Sequence, residues 1–144
     1  MKYRIAMALL GAALAASPAH ARDTIGNYPI TDALKSGDGK LDEGVALYFG
    51  DQSPTGIVKS YGSFATNKKT NAFGKSDEEA CRHVFLSAVI ELQARARKEG
   101  GNAVIGIKSN YRNVSRSSTT EYTCGAGAVV AGVALTGEVV TLKR

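Results

Sequence analysis

The segment "SDEEACRHVFLSAVIELQARARKEGG", residues 76–101, constrains the fold more than any other. Ser76 is a good helix N-cap, and Glu79 three residues on completes a capping box. Asp77 and Glu78 put negative charge in the first turn, and Arg95, Arg97 and Lys98 put positive charge in the last. Both ends therefore suit the helix dipole. Gly100 and Gly101 supply the stop. Between the ends, Cys81, Val84, Phe85, Ala88, Val89, Leu92 and Ala96 recur at steps of three and four, which makes one buried stripe. The spacing predicts a helix over residues 77–99. Leu86 and Ile90 fall on the opposite side, near His83, where a loop or another subunit would have to cover them.

Whether Cys81 can pair with the other cysteine, Cys124, depends on the compartment. The first 21 residues read as an export signal. Lys2 and Arg4 start it, an apolar run from Ile5 to Ala16 follows, and Ala19-His20-Ala21 offers the cleavage site. The apolar run is too short to span a bilayer. No cysteine stands at the expected cut, so a lipid anchor is not expected, and the product should be periplasmic or secreted. Lys2 and Arg4 leave with the leader, so 18 basic side chains become 16 against 13 acidic ones, net +3. That charge attracts anionic surfaces mildly and does not demand nucleic acid. In an oxidising compartment an even pair of cysteines is expected to be joined. A redox-active or metal-binding pair is the other reading, but the spacing is not that of a Cys-x-x-Cys motif.

The rest of the chain reads as strands. Residues 22–44 are polar and turn-rich, with a short helix at "TDALKS" for which Thr31 offers a cap. A single α+β domain is expected over residues 45–144. "VALYF" at 45–49 and "IVKSYGSFAT" at 57–66 read as strands. "NAVIGIKSNY" is a strand after the helix, and "RNVSRSSTT" a polar hairpin tip. The final Gly-, Ala- and Val-rich run carries no charge between Glu121 and Glu138. It reads as two strands or one bent strand, with glycine and alanine where the sheet bends or a helix packs closely.

"KTNAFGKS", residues 69–76, ends like a phosphate-binding loop. Such a loop needs a glycine five positions before the Gly-Lys, so that backbone N–H groups can curl around phosphate. Lys69 stands there instead, so Gly74 reads as a turn residue and Ser76 as a helix cap. No nucleotide or other cofactor is expected. His83 is the histidine that remains after cleavage, and Cys81-x-His83 places the two side chains about 200° apart on a helix, too far to share a metal. No catalytic motif stands out, and an enzyme is not expected. Lys59, Tyr61, Lys68, Lys69 and Lys75, with Phe64 and Phe73 among them, form a basic and aromatic segment. It suits an anionic envelope polymer or an envelope protein, and given export no nucleic acid is expected. The alternative is that Phe64 and Phe73 are buried and the lysines solvate a loop.

The block "ARKEGGNAVIGIKSNY" resembles the YbjQ-like family of small bacterial proteins, with Gly101, Asn102, Ala103, Val104, Ile105 and Gly106 carrying the likeness. "CGAGAVVAG" is similar to a stretch of the RcsF stress-sensing lipoproteins. On that pattern Cys124 and Cys81 take the places of one long-range bridge. A second bridge would fall at Ser109 and Val130, where both cysteines are absent. The whole chain is similar to small secreted bacterial proteins labelled as an excinuclease ATPase subunit, in which "YFG" and "TNKKTNAFGKSDEEACR" recur. That label implies DNA repair, which the degenerate loop argues against. The resemblances imply an α+β core, one long helix on a mostly antiparallel sheet. The expected function is a non-enzymatic binding module of the envelope, in maintenance or stress sensing. A metal or small-ligand carrier is the alternative.

Overall fold

The uncharged C-terminal run organises the sheet. In a computed structural model, which describes residues 23–144, it forms two strands, β6 (Glu121–Ala126) and β7 (Val130–Leu142). Ahead of them come β1 (Thr24–Pro29), α1 (Ile30–Ser36), β2 (Ala46–Phe49), β3 (Ile57–Asn71), α2 (Asp77–Glu99), β4 (Ala103–Tyr111) and β5 (Val114–Arg116). The chain is thus α+β, with a disulfide between Cys81 and Cys124. The export-signal reading falls on residues 1–21 and lies outside the described residues. No helix among the described residues is long and apolar enough to cross a membrane.

β7 is the spine of a curled seven-stranded sheet. Antiparallel β3 runs along it from Asn71↔Val130 to Ile57↔Leu142. Its other edge is shared. β6 pairs at Gly125↔Gly132 and Ala126↔Ala131, and β4 takes over from Ser109↔Leu135 to Ala103↔Val140. β1 extends β6, β5 returns from β4, and β2 alone joins in parallel, on β4.

α2 lies on one face of this sheet, over β7 and β3. Ser76 Oγ accepts the Glu79 N–H at 3.1 Å, and Gly100 ends the helix at φ 91°, a left-handed conformation that glycine adopts without strain. Val84, Phe85, Val89 and Leu92 meet Val133, Leu135 and Val139 in the core. Phe85 stacks on Tyr122 at 4.0 Å between centroids. The disulfide holds α2 to β6 with the Cα atoms 5.9 Å apart.

Several expectations are corrected here. The polar segment before Val45 holds the short helix expected there and, beyond that expectation, an edge strand of the same sheet. Thr31 does not cap α1. Pro29 holds the N-cap position, and Ile30, buried and donating its N–H to Thr120 O at 2.9 Å, anchors the start. β3 continues to Asn71 rather than ending at Thr66, because the full length of β7 offers it a partner. Leu86, on the second stripe, is buried under a loop of the same molecule, the first of the two covers expected for it. A Cβ at Gly37 would overlap its methyl groups. Ser109 pairs with Leu135, five positions along β7 from Val130.

Candidate functional site

The face of the sheet turned away from α2 carries the candidate site. Side chains alternate along β3. Lys68 reaches Glu91 of α2 at 3.1 Å, Thr66 donates to the same carboxylate at 3.4 Å, and Phe64 lies under Arg95. Ala65, Asn67 and Lys69 therefore point the other way. On β7, Val133 and Leu135 are in the core, so Gly132 and Ala134 face outward. On β6, Cys124 is bonded to α2, which turns Gly125 outward.

Tyr111, the last residue of β4, lies across those two glycines. A Cβ at Gly125 would overlap its ring, and one at Gly132 would stand 3.5 Å from Cε2. Arg112 and Asn113 follow at φ 52° and 62°. A type I′ two-residue hairpin needs both central residues left-handed, which asparagine tolerates and arginine does not favour. Arg112 forms an ion pair with Asp23, and the Tyr111 hydroxyl donates to Asp23 at 3.3 Å. Partial burial, then the nearby Asp23 charge, push the Tyr111 hydroxyl above its ordinary pKa, so it stays a donor at neutral pH.

This arrangement leaves two adjoining open recesses along β7. One, of about 650 Å³, is bounded by Lys69, Tyr111, Gly125 and Val130. The other, of about 260 Å³, is bounded by Ala65, Asn110 and Asn113. Both share Asn67, Arg112 and Ala134. Val129 and Val130 leave exposed apolar surface at one end.

Of the basic and aromatic residues singled out in the sequence, Lys69 alone lines these recesses. Lys59 stands 4.9 Å over the Tyr61 ring, and the Tyr61 hydroxyl bonds Thr141 at 3.0 Å and Gly100 O at 3.3 Å. Tyr61 therefore braces the end of α2. Lys68 is paired on the helix side, and Lys75 is exposed on the turn before Ser76. The five do not share a face, because the longer β3 sends successive lysines to opposite sides. Phe64 is half-buried, but Phe73 is 73% exposed, which overturns the alternative that both are buried.

The "KTNAFGKS" segment opens as strand. Lys69, Thr70 and Asn71 are extended and paired with residues 130–132, and Ala72 donates to Val129 O. That backbone is committed to the sheet and cannot curl around a phosphate. Cys81 and Cys124 are joined, and His83 is exposed on α2. Among the described residues no group of three metal-ligating side chains stands together.

Asp23, Asn67, Tyr111 and Arg112 are the site residues that sequence reading misses. The one available signal is "NYRN" at a strand end, where a two-residue turn must place an arginine left-handed. Compared with known proteins, the chain matches no family model, no curated protein and no solved structure.

Proposed function

We propose that this protein is a non-enzymatic binding module of the bacterial envelope, periplasmic or secreted, acting in maintenance or stress sensing. The observation that carries the reading is the twin recess on the sheet face opposite α2. There a strained arginine, a lysine and an aromatic ring converge on a floor of glycine and alanine. Convergent polar groups over apolar surface are what a binding site requires. The Cys81–Cys124 bond supports an oxidising compartment, as does the leader read in the sequence.

The finer likeness, a YbjQ- and RcsF-like core over about residues 76–137, belongs to the same proposal. Its support is local. Gly101 lies so close to β7 that a Cβ there would stand 2.8 Å from Val140 O. Asn102 exchanges two bonds with Leu142, at 2.7 and 3.0 Å. The Gly-Asn-Ala-Val block thus serves to seat the helix end on the sheet.

The test is a photo-crosslinker installed at position 67, inside both recesses, in cells that export the protein. Recovery of one reproducible envelope component is expected. Capture of nothing, or of the same background as a crosslinker at exposed His83, would overturn the reading.

A further inference from the structure

We infer that the twin recess is a groove for a carboxylate-bearing polysaccharide, with Arg112 as the cation that reads the carboxylate. The inference rests on the binding-module reading and names its ligand class.

The floor comes first. Gly132, lying under the Tyr111 ring, and Ala134 keep it free of tall side chains of β7. Gly132 is paired with both β3 and β6, and Ala134 is paired with Asn67 of β3 while β6 and β4 meet on its other side, so no peptide strand can be added there. A peptide held by side chains would need pockets for them, and a floor of glycine and alanine offers none. Flat amphipathic rings can lie on such a surface. The walls come next. Asn67, Asn110 and Asn113 bring amides that both donate and accept, which matches sugar hydroxyl and acetamido groups. The two recesses follow β7 from Val130 to Leu135, roughly 17 Å at the rise of a strand, which suits a chain of rings better than a single small molecule.

Charge selects the acid. Lys69 and Arg112 line the larger recess, with Asp23 as its acidic member. The Arg112 side chain keeps 62% of its surface exposed while paired with Asp23, so its planar fork remains open to a second carboxylate. Asp23 already shows the geometry in which a carboxylate meets both this guanidinium and the Tyr111 hydroxyl. Glycine or asparagine would make the turn with less strain. Residues held in sparsely populated backbone regions cluster at binding sites.

Titration calorimetry of the purified protein with polygalacturonate, neutral dextran and polyglutamate tests this. Polygalacturonate should bind, more weakly at high salt, and dextran should not. Arg112→Gly, whose turn stays compatible with the left-handed conformation, should weaken binding by roughly tenfold or more. Lys69→Ala should weaken it less, and Asp23→Asn, which removes the competing carboxylate, should tighten it. No binding of polygalacturonate, equal binding of polyglutamate with the same Arg112 dependence, or unchanged affinity in all three variants would each overturn the inference. If polygalacturonate fails while position 67 still captures an envelope component, the ligand class is wrong and the binding module stands. If both fail, both readings fall.

Discussion

Gln93 and Asp42, 51 residues apart, are joined through two hydrogen bonds between a side chain and a backbone. The Gln93 carbonyl accepts the Asp42 N–H at 2.9 Å, and its amide donates to Asp42 O at 3.0 Å. The same amide donates to Val45 O at 3.0 Å. Gln93 is 2% exposed, so a buried polar group on α2 is fully satisfied by the loop that crosses it.

Replacing Gln93 by leucine takes the side-chain partner from the Asp42 N–H and from Val45 O, and leaves Asp42 O with the Val45 N–H alone. Gln93→Leu should destabilise the fold by about 2–3 kcal/mol. A urea unfolding midpoint equal to that of the parent protein would show that water serves the loop as well.

Beside this pair, the Arg97 guanidinium donates to both Asp42 carboxylate oxygens, at 2.6 and 2.7 Å. Chiefly through that bond, and partly against burial, the Asp42 pKa falls from 3.8 to about 2, with the Gly44 N–H also lowering it. A carboxylate depressed by folding stabilises the native state above its ordinary pKa, and the contribution disappears as pH falls through the folded value. Thermal stability should therefore decline between about pH 4 and pH 2. Asp42→Asn should flatten that part of the profile, and an unchanged slope in the variant would assign the acid loss to other groups.

The Cys81–Cys124 bond closes a loop with a sequence separation of 43. Its removal should cost about 3–4 kcal/mol, since the unfolded chain regains the entropy of the open loop. The double variant Cys81→Ala/Cys124→Ala should unfold at lower denaturant and be indifferent to reductant. Equal midpoints for the oxidised and reduced parent protein would contradict this.

Tyr122 is 1% exposed, and its hydroxyl has no hydrogen-bond partner in the structure. Burial pushes its pKa well above the ordinary tyrosine value. Tyr122→Phe keeps the stack on Phe85 and removes the unpaired group, so stability should hold or rise by up to about 1 kcal/mol. A clear loss would reveal a buried water bonded to the hydroxyl.

Gly125 and Tyr111 share one space on the outer sheet face. Gly125→Val should displace the ring, detach it from Asp23 and cost about 1–3 kcal/mol. The Tyr111 ring resonances should change while those of the Phe85–Tyr122 stack stay put; shifts in both would mean that the whole sheet had repacked.

Local chemistry made part of this protein legible in its sequence. Ser76 and Gly100 act at the ends of α2 through hydrogen bonds within a few residues. The periodic apolar residues of α2 mark its core face, and an even pair of cysteines behind a leader-like start points to one bond. The second stripe at Leu86 announces that something must cover it. None of those signals needs knowledge of a distant partner.

Tertiary structure alone decided where the candidate site lies. Which face of β3 a lysine joins is set by pairing with β7, so Lys68 and Lys69, neighbours in the chain, part to opposite sides of the sheet. Composition cannot show that Gly125 and Gly132 are small for the sake of Tyr111, because the three meet only when β4, β6 and β7 converge. Arg112 and Asp23 are 89 positions apart and pair because the hairpin tip meets the residue that precedes the first strand. Contacts of that range depend on which strands pair, and the alternation within one strand fixes its two faces without naming its neighbour.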